Sequence, residues 1–180
     1  MTEQFDVICI GAGTAGEALA NGLKGSGLSL AVIEKRLVGG ECAYWGCMPS
    51  KTLLRSAETL AEAGRARKLA ASRVEWQVDF PKIAKRTHWM ARDLDDTNAA
   101  KAIQANGARL LRGEARLTGQ RTVEVGGRPL QAKKAVIIAS GAEPATPSIP
   151  GLEGVEYWTN REAVMTPALP ASLIVLGGGP

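Results

Sequence analysis

Three features of these 180 residues predict an α/β protein with a parallel sheet, an antiparallel β-meander and a pair of long helices. Two apolar runs, residues 5–10 and 28–33, flank an Ala- and Leu-rich stretch at 15–23. That strand, helix, strand spacing suits a parallel crossover. The hydrophobic period then changes from helical between residues 50 and 103 to alternating between 111 and 130. Finally, 45% of residues are hydrophobic but only 4% aromatic. A core of Val, Ile, Leu and Ala is what layered helices and sheets use.

The elements follow in order. A glycine turn joins the first strand to the first helix, and the second strand ends at Glu34. Leu53, Leu54, Ala57, Leu60 and Ala61 mark a helix over residues 50–71 with no proline inside it. Asp79-Phe80-Pro81 reads as the start of a second long helix that runs through Ile83, Met90, Leu94 and Thr97 toward Ile103. Leu111, Gly113, Ala115 and Leu117 alternate, as do Val123 and Val125, with turns at Gly119-Gln120 and Gly126-Gly127; this predicts the meander. Residues 135–139 form a continuous apolar run, expected to be a strand buried on both faces. Five prolines between Pro144 and Pro170 mark a surface linker. A strand at 173–176 followed by Gly177-Gly178-Gly179 resembles the opening of a nucleotide-binding unit. The expected organisation is one domain over 1–150, a linker over 151–171, and the first strand and turn of an incomplete second domain over 172–180.

Composition narrows the function classes. The formal charge of +4 comes from 22 basic and 18 acidic residues that are intermixed. Arg65, Arg67, Lys68, Lys82, Lys85 and Arg86 therefore read as solvated helix faces, not as a nucleic-acid footprint. No apolar stretch approaches the roughly 18 residues of a membrane span. Met1-Thr2-Glu3-Gln4 lacks the basic flank of a signal peptide, so the expected location is cytoplasmic. Three cysteines are too few for a disulfide scaffold.

The chemistry lies in two segments. Gly11, Gly13 and Gly16 form G-x-G-x-x-G directly after a strand and at the opening of a helix, and Glu34 ends the next strand. Gly11 permits the tight turn, Gly13 the approach of a pyrophosphate, and Gly16 close helix packing; Glu34 is placed to accept hydrogen bonds from a ribose. The motif points to a dinucleotide without naming it. Cys42 and Cys47, in Gly39-Gly40-Glu41-Cys42-Ala43-Tyr44-Trp45-Gly46-Cys47-Met48-Pro49-Ser50-Lys51, stand at the start of a long helix. The helix dipole there lowers a thiol pKa and favours the nucleophilic thiolate. Redox chemistry, a metal site and two small buried residues are the possible roles. With only Cys9 and His88 in addition, zinc is poorly served. Cys9, inside an apolar strand, belongs to the core.

Together, the fingerprint at Gly11 to Gly16, Glu34, the Gly-Gly-x-Cys-x4-Cys-x-Pro-Ser-Lys segment, Ser140-Gly141 and the stretch from Pro147 to Gly151 resemble the FAD-dependent pyridine nucleotide-disulfide oxidoreductases, over essentially the whole chain. The resemblance implies a Rossmann-like FAD-binding domain, FAD as the dinucleotide and NAD(P)H as co-substrate. It implies a redox-active Cys42–Cys47 disulfide, with Cys47 as the thiol against the flavin, Cys42 as the thiol that attacks substrate, and Lys51 near the flavin N5 edge. Gly40 and Glu41 fall in the flavin-binding segment. Gly113-Glu114-Ala115 is similar to the adenine-contacting backbone, and Ser140-Gly141 stands in the place of a Thr-Gly pair near the pyrophosphate. The implied parent enzyme is a homodimer that passes electrons to a small-molecule disulfide or similar acceptor, without nucleic acid or membrane. Tyr44-Trp45 departs from the residues common in dihydrolipoamide dehydrogenases, so the acceptor stays unnamed. His88, on a predicted surface helix, receives no proton-transfer role. The alternative for the 180-residue piece is a non-catalytic dinucleotide-binding module.

Overall fold

The computed structural model describes residues 2–177. The chain runs β1 (Glu3–Ile10), α1 (Thr14–Gly22), β2 (Leu30–Glu34), α2 (Gly40–Tyr44), α3 (Cys47–Leu69), α4 (Phe80–Met90), α5 (Thr97–Ala105), β3 (Arg109–Arg112), β4 (Ala115–Gly119), β5 (Thr122–Val125), β6 (Arg128–Ile138) and α6 (Asn160–Met165), with 3-10 turns at Arg92–Leu94 and Leu152–Gly154. The strands form one sheet in the order β3-β2-β1-β6-β5-β4. Pairing is parallel among β3, β2, β1 and β6, and antiparallel between β6 and β5 and between β5 and β4.

This sheet cannot be flat. Five strand spacings would set β3 and β4 about 24 Å apart, yet only Gly113 and Glu114 separate their ends, and three residue steps reach at most about 11 Å. The meander must therefore fold back over one face of the parallel strands, with β6 as the shared strand. The cores show the result. Ile8, Ala31 and Ile33 pack with Val123, Val125, Leu130 and Ala132 of the meander. The alternate residues Val7, Cys9, Leu30 and Val32 pack with Ala20 of α1 and with Ala99 and Ile103 of α5. The two-residue period of a strand thus sends successive side chains of β1 and β2 into different cores, which is why both read as unbroken apolar runs.

Several expected elements differ. The second long helix ends at Met90. Arg92, Asp93 and Leu94 have φ of 58°, 49° and 60°, a left-handed turn that breaks the hydrogen-bond ladder. The reason is tertiary: after the break, the Asp96 carboxylate accepts from the Val38 amide at 2.7 Å and pairs with Arg112 at 2.7 Å. The helical pair is α3 packed on the shorter α4. Leu111 belongs to β3, on the parallel side, so the meander begins at Ala115. The 135–139 run is only partly buried, and Ile138 is 65% exposed. Only the first residues of β6 pair with β5, so its second half is an edge paired with β1 alone. Lys133 and Lys134 on that edge are the charges that guard such strands. Residues 172–177 form no strand; Leu173 to Leu176 are exposed and have no partner strand among the described residues. Gly178 and Gly179, the rest of the expected turn, lie outside the described residues.

Candidate active site

β1 delivers the chain into the glycine turn. Gly11 has φ of 107°, a conformation that disfavours any side chain, and its amide donates to the Ile33 carbonyl at 2.7 Å. A methyl group here would collide with the carbonyl oxygen of Ala139, and one at Gly16 with that of Gly11. Both glycines are thus required by backbone packing. At Gly13, which caps α1, the approaching backbone is that of Gly40, 3.8 Å from where a Cβ would sit. No side chain caps α1, which leaves its first-turn amides aimed at the turn, where the helix dipole favours an anion.

Glu34 closes this turn from below. Its Oε2 accepts from the Ala12 amide and its Oε1 from the Arg36 amide, both at 2.7 Å. The residue is 9% exposed, and each carboxylate oxygen retains capacity for a further donor. One buried acid therefore ties the glycine turn to the end of β2. Next to it, Arg36 pairs with Glu143 at 2.7 Å.

The cysteine loop is attached to the same turn. Gly39, with φ of 113°, donates its amide to the Ala12 carbonyl at 2.8 Å, and a Cβ on Gly40 would lie 2.8 Å from the Gly13 Cα. Immediately after this contact, Cys42 in α2 and Cys47, the first residue of α3, form a disulfide with Cα atoms 4.5 Å apart. The Glu41 carbonyl accepts from the amides of Trp45 at 2.9 Å and Gly46 at 2.6 Å, folding the loop back on itself. Cys47 begins α3 while Cys42 lies in the short α2 before it, so the dipole of the long helix acts most directly on Cys47. Lys51 is exposed one helical turn after Cys47, on the same face of α3. Tyr44 is fully buried; its hydroxyl donates to the Val38 carbonyl at 2.9 Å, and burial pushes the phenol above its ordinary value. Tyr44 is therefore an anchor of the loop, whereas Trp45 lies nearer the surface.

The remaining predicted residues take different places. Ser140 is beside the turn: its amide nitrogen would lie 3.1 Å from a Cβ on Gly11. Gly141 follows with φ of 73°. Ala115 starts β4 and packs on the meander-side core. The Gly113 amide, just before it, donates to the Glu34 carbonyl at 3.0 Å and brings this segment near the acid. Cys9 is buried in β1, where desolvation raises its thiol pKa. His88 is half-buried on α4, with Nε2 2.9 Å from the Met165 carbonyl, and so supports α6.

Asn160 and Arg161 on α6 escaped the sequence reading. Arg161 pairs with Glu41 at 2.8 Å and with Glu143 at 2.9 Å, and its guanidinium lies 5.0 Å from the centre of the Trp45 ring. Burial alone would raise the Glu41 pKa, but hydrogen bonds from Arg161 and Asn160 outweigh it and hold the carboxyl below its ordinary value. The capping box Thr159-x-x-Glu162 is the local pattern that could have marked the start of α6 within the expected linker. Its partners on α2 have no such signal, because nothing local specifies them.

Comparison with known proteins agrees with this geometry. Residues 5–180 match the pyridine nucleotide-disulphide oxidoreductase family. Dihydrolipoyl dehydrogenase of Chlorobaculum parvum is 36% identical over 98% of this chain and 38% of its own length. Mercuric reductase of Staphylococcus aureus is 31% identical over 97% of this chain and 32% of its own. The chain thus spans about a third of the length of these relatives. The Cu(II) complex of the HOCl-induced flavoprotein disulfide reductase RclA from Escherichia coli superposes with a TM-score of 0.71 at 23% identity, covering 88% of this chain and 33% of that one, a likeness of fold. On the family match and these identities, with the glycine turn and the cysteine disulfide joined backbone to backbone, this chain belongs to the pyridine nucleotide-disulphide oxidoreductase family.

Proposed function

We propose that this chain is the FAD-binding part of an oxidoreductase that takes electrons from NAD(P)H and delivers them through Cys42 and Cys47 to a disulfide-type acceptor. The observation that carries this reading is the Gly39 amide bonded to Ala12, which fastens the Cys42–Cys47 disulfide to the dinucleotide turn. The cradle fits FAD: Gly11, Gly13 and Gly16 leave the backbone bare, the amides opening α1 have no side-chain cap, and Glu34 keeps acceptor capacity for a ribose. When bound, FAD supplies two-electron transfer between a nicotinamide and a disulfide.

The chain's own residues have these proposed roles. Ser140, Gly141 and the α1 amides bind the pyrophosphate; Glu34 orients the ribose; Ala115 meets the adenine; Gly40, Glu41 and Lys51 border the flavin. The Cys42 thiolate attacks the acceptor disulfide and releases one of its halves as a thiolate; Cys47 then attacks the Cys42 sulfur of the mixed disulfide, which releases the other half and re-forms Cys42–Cys47. Cys47 is the better placed of the two to remain a thiolate at the α3 terminus. Residues 1–150 would form the FAD-binding domain, 151–171 the linker and 172–180 the entry into a nicotinamide-binding domain. The proposed parent is a cytoplasmic homodimer acting on a small molecule. Because the chain spans about a third of its relatives, the proposed behaviour of the 180 residues alone is binding without turnover.

Alkylation and mass spectrometry test the reading. In folded, air-oxidised protein, Cys42 and Cys47 should resist alkylation until a dithiol is added, after which both should react. Two freely alkylated thiols in the folded, unreduced chain would overturn it.

A further inference from the structure

Asn160 and Arg161 meet the cysteine loop from 119 and 120 residues away. The Asn160 side-chain amide donates at 2.9 Å to the Glu41 carboxylate and at 2.9 Å to the Trp45 carbonyl. Arg161 donates to both Glu41 oxygens, at 3.3 and 2.8 Å, and lies over the Trp45 ring. Glu41 directly precedes Cys42, and Trp45 comes two residues before Cys47. The two adjacent residues therefore grip the loop at both limbs. α6 is itself seated by its capping box, by the Arg161–Glu143 pair and by His88 against the Met165 carbonyl.

We propose that Asn160 and Arg161 are positioning residues that hold the Cys42–Cys47 loop closed, so that the two sulfurs remain within bonding reach after reduction. This rests on the reading that the pair is redox-active. Re-formation of a disulfide depends on the effective concentration of one sulfur at the other, which falls if the loop can open. By linkage, contacts stronger with the closed loop than with the open one favour the disulfide by the same factor. An arginine suits this work because its planar fork engages a carboxylate through two bonds and stacks on an aromatic ring at once.

The equilibrium is measured against dithiothreitol. Its two thiols close into a cyclic disulfide and give two electrons and two protons to Cys42–Cys47, whose S–S bond breaks into two thiols. The 180-residue chain is equilibrated over a range of reduced to oxidised dithiothreitol, alkylated and weighed. Arg161→Gln should move the midpoint about tenfold toward the dithiol, about 30 mV for a two-electron couple. Arg161→Lys, which keeps the charge but not the fork, should fall between it and the wild type. Asn160→Ala alters an exposed residue and no charge, so it tests the grip even if the arginine variants fail to fold; it should shift the midpoint in the same direction by about threefold. A contact that only supports α6 would lower the melting temperature and leave these midpoints in place. A reducible disulfide with the same midpoint in every folded variant overturns the inference alone. Free thiols in the air-oxidised wild type overturn it together with the redox reading.

Discussion

Glu34 and Gly11 carry most of the glycine turn, and they fail in different ways. Glu34→Ala removes an acceptor shared by the buried Ala12 amide, the part-buried Arg36 amide and a proposed ribose hydroxyl. FAD binding should weaken by roughly 1.5–3 kcal/mol, the range for hydrogen bonds to a charged group. Titration of FAD fluorescence measures it, and unchanged affinity in a folded variant would contradict the ribose role. Gly11→Ala should unfold more easily by about 1–3 kcal/mol, since it combines a positive φ with a collision at Ala139. Gly22→Ala is the contrast, because open space surrounds Gly22 at the end of a helix. It should change stability by less than about 1 kcal/mol and in the favourable direction. Urea unfolding of both distinguishes a required glycine from an incidental one. Gly11 and Glu34 were legible because the G-x-G-x-x-G spacing after a strand and the acid at the end of the next strand are local patterns. The double use of Glu34 was not, since only the folded turn shows the Ala12 and Arg36 amides converging on it.

α6 and the turn after α4 show where sequence patterning stops. The apolar stripe through Met90 and Leu94 is continuous, so it predicts one helix; Asp96, bonded to Val38 and Arg112, requires two. Helix periodicity carries no information about such a partner. The Arg161–Glu41 contact is equally remote, and its pH dependence can be stated. Glu41 has its folded pKa held below the ordinary 4.5 by Arg161 and Asn160, against the upward push of burial. A depressed carboxyl contributes stability that is fully present above the unfolded value and is lost as pH falls through the folded one. Glu143, lowered chiefly by Arg36 and also by Arg161, acts in the same direction. The melting temperature of the wild type should therefore exceed that of Arg161→Gln at neutral pH, and the gap should close as pH falls below about 4.5. A gap that widens toward acid would contradict the assignment. The Glu41 and Glu143 side chains are 37% and 51% exposed, so solvent screens both pairs; the effect is modest and should shrink in high salt.

For the whole molecule, the alternation of β1 and β2 between two cores makes the architecture a consequence of strand geometry. The parallel unit, the meander and the glycine turn could be read from local pattern. The folding of the meander back over the sheet could not, because it depends on β6 serving both halves. The apolar run of β6 looked buried because composition does not register that β5 ends early. The disulfide and the glycine turn form one unit at the end of this sheet, and the remaining predictions concern that unit. Supplied with FAD and NADH or NADPH, the 180-residue chain should show no sustained reduction of lipoamide-type or glutathione-type disulfides. Holding reactants in near-attack geometry can lower the barrier by about 7–11 kcal/mol, and the described residues offer no second glycine turn to hold a nicotinamide. Steady-state turnover measured on this chain would contradict that expectation. The most direct measurement is an anaerobic reductive titration of the FAD-loaded chain, counting electrons per bound flavin in the wild type and in Cys42→Ser. If the disulfide and the flavin site are one redox unit, the wild type takes up about four electrons, two at each centre, and the variant about two. Equal uptake of about two electrons by both proteins would contradict the coupling of Cys42–Cys47 to the dinucleotide site.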